Sequence, residues 1–190
     1  MKFNCFLTNP TARKLYKIAD RLPIIDYHCH LSSKEIFEDE AFENIGQIWL
    51  ATDHYKWRLM RTAGIEEKYI TGNASYKDKF LKYCSAIEFA AGHPLYHWSH
   101  MELSKFFGID SVISSKNAED IWNRANDCIK RTNMSPRKLI NSSKVEVICT
   151  TDDIVDDLEW HKKIRNDKNF KTKVLPTFRT DNLLLVRNKG

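Results

Sequence analysis

The chain has 190 residues, a formal net charge of +5 from 30 Lys and Arg against 25 Asp and Glu, and 42% hydrophobic residues, enough to bury a sizeable core. No apolar stretch approaches the ~20 residues of a membrane span, and Met1 to Leu7 lacks the apolar run of a secretion signal, so a cytoplasmic protein without a membrane partner is expected. Five cysteines (Cys5, Cys29, Cys84, Cys128 and Cys149), with no C-x-x-C pair among them, suit small buried thiols rather than a disulfide framework.

The first informative element is the run Ile24-Ile25-Asp26-Tyr27-His28-Cys29-His30-Leu31, set off by Pro23. It is too apolar for a half-solvated edge and predicts a buried parallel strand over 24–30. Residues i and i+2 of a strand share a face, so His28 and His30 project together while Cys29 points away. Two neutral imidazoles aimed at one spot make half of a metal site, although histidine also serves as an ordinary core or surface residue. The pair stands at the C-terminal end of its strand, where α/β barrels keep their chemistry.

The stretch 32–143 is rich in helical signals and punctuated by Gly64, Gly72, Gly92 and Gly108, where helices can stop. Within it, Asp53-His54-Tyr55-Lys56-Trp57-Arg58 concentrates functional side chains. On a helix His54 and Arg58 share one face and Asp53, Trp57 and Arg61 another, which also describes a polar surface with Trp57 turned inward. Phe80, Cys84, Ile87 and Ala91 form an apolar stripe behind a cap at Ser75. Pro94 places the start of a further helix just after His93, and the aromatics around His97 and His100 read as packing. Ile121, Trp122, Ala125, Cys128 and Ile129 make another stripe behind Asn117, and Ser135-Pro136 opens a short helix to about Ile140.

From Lys144 the pattern changes to a strand over 145–149, a helix over 154–164 and a strand over 173–178, a βαβ unit that implies a parallel sheet. Asp152 and Asp153 fit the cap and first turn of the intervening helix. The excess charge is local: His161 to Lys173 carries six basic residues against Asp167, and the remaining 24 basic and 24 acidic residues balance. With no binding motif or interleaved aromatics, a nucleic-acid partner is not expected. Parallel strands end on one edge, so His28 and His30, Thr150 to Asp153, and Arg179 meet there. The planar fork of Arg179 suits a carboxylate, or else a surface ion pair. Three strands are too few to close a barrel, so the chain reads as the front part of a larger enzyme. Its segments are 1–31 (leading segment and first strand), 32–143 (helical insertion) and 144–190 (βαβ continuation).

The run from Ile24 to Leu31, together with Asp53 to Arg58, His93 to Trp98, Cys149 to Asp153 and Val174 to Arg179, resembles the uronate isomerases (glucuronate isomerases) of the amidohydrolase superfamily. Five motifs in order are far more specific than a lone H-x-H. The resemblance covers the N-terminal part of the family, whose members are more than twice as long. It implies a distorted (β/α)8 TIM barrel with a large helical insertion after the first strand.

The family interconverts D-glucuronate with D-fructuronate and D-galacturonate with D-tagaturonate. Moving a proton from C2 to C1 through an enediol needs a base, an electrophile at O1 and a cationic clamp for the carboxylate. Carried over by motif, His28 and His30 are ligands of a divalent metal, zinc by their chemistry. His54, Tyr55 and Arg179 act on the substrate, a uronic acid, with Arg58 as a further contact. Tyr55 transfers protons only where a cation such as Arg58 or Arg179 lowers its pKa from about 10. An aspartate that completes the family's metal site lies in the part this chain lacks, so an inactive fragment is expected, with a homo-oligomer open to the complete enzyme. Two rivals remain: a metal-dependent hydrolase of the same superfamily, and a non-catalytic helical interaction fragment.

Overall fold

A computed structural model describes residues 7–180. Its helices are α1 (Pro10–Ala19), α2 (Ser33–Glu38), α3 (Ile45–Leu50), α4 (His54–Thr62), α5 (Tyr76–Glu88), α6 (Pro94–Glu102), α7 (Ala118–Thr132), α8 (Pro136–Ser142) and α9 (Glu159–Asn166). Its strands are β1 (Ile24–Asp26), β2 (Val145–Asp153) and β3 (Lys173–Arg179). The described residues separate into two compact units, 7–12 with 41–134 and 13–40 with 135–180. The stretch 32–143 is thus shared between them: α2 and α8 belong with the sheet, and α3 to α7 form the helical unit. No described helix is long and apolar enough to cross a membrane.

The helical unit is built on caps and an aromatic core. Ser75 Oγ accepts the Asp78 N–H at 3.1 Å, and Phe80, Cys84 and Ile87 of α5 are fully buried, whereas Ala91 lies exposed beyond the helix end. Trp49 packs against Phe80 and Tyr83 with ring centres 5.7 and 5.6 Å apart, and Phe80 meets Trp122 of α7 at 5.5 Å. Gly46 permits the close crossing of α3 and α5, since a Cβ there would stand 2.6 Å from the Tyr76 carbonyl oxygen. His93 Nδ1 accepts the Leu95 N–H at 3.1 Å, so α6 starts where Pro94 placed it.

The second unit is a mixed α/β layer whose strands are all parallel, in the order β1-β2-β3. One face packs on helices through Ile36, Ile140, Ile148, Ile164, Phe170 and Val174. Register partners in parallel strands point the same way. Val147, Cys149, Thr151 and Asp153 of β2 therefore share the opposite face with Lys173, Leu175, Thr177 and Arg179 of β3. Cys29, Cys84, Cys128 and Cys149 are free thiols, and Cys5 lies outside the described residues.

Two elements begin or end elsewhere than their patterns predict. β1 stops at Asp26, because the Asp26 carboxylate accepts the His28 N–H at 3.3 Å and turns the chain out of the ladder. Asp152 and Asp153 do not cap a helix; both lie within β2. Asp153, Asp156 and Asp157 bind nearby backbone N–H groups, holding the connection in turns until Leu158 adopts a left-handed conformation (φ 57°) and α9 begins at Glu159.

Candidate active site

The C-terminal ends of the three strands define the candidate site of the sheet unit. His28 and His30 follow β1 outside regular strand, yet their rings still meet edge-on with centres 5.0 Å apart. Two imidazoles bound tetrahedrally to one zinc through N atoms at about 2.1 Å place their ring centres about 5 Å apart, so the spacing fits a shared ion. Among the described residues no group of three or more His, Cys, Asp or Glu is placed to hold a metal, which leaves the pair short of the three protein ligands a catalytic zinc takes. Cys29 between them is half-buried, and burial pushes its thiol above the ordinary value, which suits packing against the core rather than ligation by a thiolate.

Arg179 closes β3 beside its register partner Asp153, exposed on the same strand ends as the histidines and separated from them by β2. The strand ends are laced by threonines: Thr151 Oγ1 donates to the Cys29 carbonyl at 2.5 Å, and Thr177 Oγ1 donates to the Thr150 carbonyl. Behind β2, buried Thr150 joins the sheet to α9. Its hydroxyl donates to Asp152 at 2.7 Å and receives the Nε2–H of buried His161 at 2.8 Å. Neither His161 nor the Thr151 bond carries a sequence signal, because each depends on the pairing of distant segments.

In the helical unit, Asp53 caps α4 through the N–H groups of Tyr55 (2.9 Å) and Lys56 (3.1 Å). That cap sets His54, Tyr55 and Arg58 on an exposed surface, with the His54 and Tyr55 ring centres 5.1 Å apart and the Arg58 guanidinium 5.8 Å from the Tyr55 ring. Trp57 turns inward as expected, its Nε1–H bonded to the Leu50 carbonyl at 2.8 Å. Lys56 went unnoticed in the sequence. Its ammonium is buried beside Asp53 at 2.9 Å and Glu102 at 4.0 Å. Burial raises the Asp53 carboxyl, but the charge and hydrogen bond of Lys56 and the two capping amides outweigh it and hold the group below the usual carboxylate range.

A family model described as glucuronate isomerase matches residues 1–190. The uronate isomerase of Endomicrobium trichonymphae is 50% identical over 185 residues, spanning 97% of this chain and 40% of its own length. That of Caldicellulosiruptor saccharolyticus is 54% identical over 176 residues, 92% of this chain and 38% of its own. The crystal structure of uronate isomerase from Thermotoga maritima superposes with a TM-score of 0.85 at 40% identity, covering 90% of this chain and 38% of that one. Glucuronate isomerase from Caulobacter crescentus shares the fold with a TM-score of 0.80 at 23% identity and the same coverage. The chain spans about two fifths of the length of these relatives. With a match over every residue and half the positions identical to a named relative, the chain belongs to the glucuronate isomerase family, of which it represents the N-terminal part.

Proposed function

We propose that this chain supplies the N-terminal part of a uronate isomerase that converts D-glucuronate to D-fructuronate and D-galacturonate to D-tagaturonate. The observation that carries the reading is the His28 and His30 pair, rings 5.0 Å apart, on the same strand ends as Arg179. We take the three parallel strands as the first strands of a distorted (β/α)8 barrel. Support comes from the helices on one face and the residues of the other, apolar at Val147 and Leu175 and polar at Thr151, Asp153, Thr177 and Arg179 toward the strand ends.

In this reading His28 and His30 hold a divalent metal, zinc by donor chemistry, and remaining ligands come from the part of the family beyond this chain. The ion, when bound, polarises a substrate oxygen and stabilises negative charge on it. Arg179 presents its fork to the uronate carboxylate and fixes which end of the sugar enters. His54 and Tyr55 serve the proton's passage between C2 and C1: one group takes the C2 proton as the enediolate forms with its negative charge on O1, and C1 is then protonated as the O2 hydroxyl proton passes to O1 and O2 becomes the ketone. Arg58, whose guanidinium lies over the Tyr55 ring, holds that ring in place and adds positive charge near it.

The test joins this chain to the C-terminal three fifths of the Thermotoga maritima relative and offers it D-glucuronate, D-galacturonate, and a panel of esters and amides with added zinc. Ketose formation that requires the junction and is lost in His28→Ala supports the proposal. Hydrolysis of an ester or amide without ketose formation supports the hydrolase instead. Ketose formation by residues 1–190 alone overturns the assignment of further ligands to the remaining part.

A further inference from the structure

We propose that Thr151 is the positioning residue of the His28 and His30 pair. Its hydroxyl, on the β2 face opposite the helices, holds the peptide carbonyl between the two histidines and so sets where both rings project. The inference rests on the reading of those histidines as metal ligands.

The chain leaves the regular ladder after Asp26, so the hydrogen-bond pattern of β1 does not fix the segment that carries the rings. Both histidines are exposed, and packing restrains exposed rings weakly. Besides the Asp26 bond to the His28 N–H and the packing of the Cys29 side chain on the core, two hydrogen bonds clamp the backbone of the residue between the rings. The Cys29 N–H donates to the Cys149 carbonyl at 3.0 Å, and the Cys29 carbonyl accepts from Thr151 Oγ1 at 2.5 Å. The first bond holds the peptide plane that joins His28 to Cys29, the second the plane that joins Cys29 to His30, so each histidine Cα is attached to a held plane. Outer partners that orient metal ligands are worth 10–100-fold in affinity, usually through the ligand's own ring. Here the same work is done through the backbone, by a side chain that touches neither ring.

Thr172 provides the control. It makes a bond of the same kind, Oγ1 to the Val145 carbonyl at 2.7 Å, at the opposite end of β2. Ring 1H–13C NMR spectra and zinc titrations are recorded on the full chain as wild type, Thr151→Val, Thr151→Ser and Thr172→Val. Thr151→Val shifts the His28 and His30 ring resonances and weakens zinc binding about tenfold or more. Thr151→Ser restores both, and Thr172→Val changes neither while lowering the melting temperature. If valine is not accommodated, Thr151→Ala is read in its place. Unmoved His28 and His30 resonances in a folded Thr151 variant that lacks the hydroxyl overturn the proposal. Zinc affinity that is unchanged in His28→Ala removes the metal reading instead, and the ring resonances then decide the role of Thr151 alone.

Discussion

The ammonium of Lys56, whose side chain is 7% exposed in the first turn of α4, lies 2.9 Å from Oδ2 of Asp53, the residue that caps the same helix. One carboxylate, next to His54 in the sequence, thus satisfies two backbone donors and a buried cation. Asp53→Ala removes the cap and half of the ion pair and is expected to cost about 2 kcal/mol in urea unfolding, because Glu102 still faces Lys56. Asp53→Asn keeps a capping oxygen and costs less.

Opposite pH dependences follow for the two carboxylates around Lys56. Asp53 lies below the usual range, so its contribution is present above the ordinary carboxylate value and lost as pH falls through its folded one. Burial pushes Glu102 up despite Lys56, so the folded protein holds that proton more tightly than the unfolded chain does, and ionised Glu102 weighs against the fold. Glu102→Gln is expected to melt higher than wild type at pH 7 and to lose the advantage near pH 4. Equal melting temperatures at pH 7 would remove this account.

His100 makes a second pH-sensitive point in the helical unit. Its Nδ1–H faces the Tyr96 carbonyl at 2.6 Å and its Nε2 accepts the Ile113 N–H at 2.8 Å, an arrangement only the neutral ring can hold. Burial first, opposed by the Tyr96 carbonyl and aided by the electrostatic effect of nearby His97, lowers its pKa from 6.5. A depressed histidine contributes stability above its unfolded value and loses it as pH falls through the folded one. Thermal unfolding between pH 7 and 5 should show a falling midpoint for wild type and a flatter profile for His100→Gln.

Much of the fold was legible because local chemistry and final structure agree. Ser75 and His93-Pro94 start helices where their patterns say, and β2 and β3 pair in parallel as a βαβ unit requires. The exceptions lie where short polar side chains compete with regular structure, Asp26 against the strand and Asp153, Asp156 and Asp157 against the helix, and at β1 itself, which is not the expected buried strand but stands at the edge of the described sheet with Ile24 and Ile25 45% and 63% exposed. The two histidines and Arg179 stood out by residue type and position. Lys56 and Thr151 did not, since a lysine on a helix reads as solvated, and the Thr151 bond joins residues 122 apart. No periodicity records either of these.

The Thr150 link between β2 and α9 leads to a local prediction. Thr150→Val leaves the Asp152 carboxylate and the His161 Nε2–H facing each other at 3.6 Å with no hydroxyl between them. Loss of this buried relay is expected to cost about 1–3 kcal/mol. It should also speed hydrogen exchange in α9 more than in α5 of the helical unit, and equal acceleration in both would point to global destabilisation instead.

Arg137 ties together several segments of the sheet unit. Its guanidinium donates to the Ile36 and Phe37 carbonyls at 2.7 and 3.1 Å and to Asp167 at 2.5 Å, and lies 4.7 Å from the Phe170 ring centre. One side chain therefore ties the end of α2 to α8, to the turn after α9 and to the apolar core under the sheet. Arg137→Ala orphans two carbonyls and is expected to cost about 2–3 kcal/mol. Arg137→Lys should recover little, because an ammonium reaches one partner at a time where the planar fork reaches three. The Arg137 hydrogen bond also holds the Asp167 carboxyl below its usual range, so its share is lost as pH falls through that depressed value. Urea unfolding of the three proteins at pH 7 and pH 3 checks both statements, since acid should narrow the gap between wild type and Arg137→Ala without closing it: the two carbonyl bonds do not titrate.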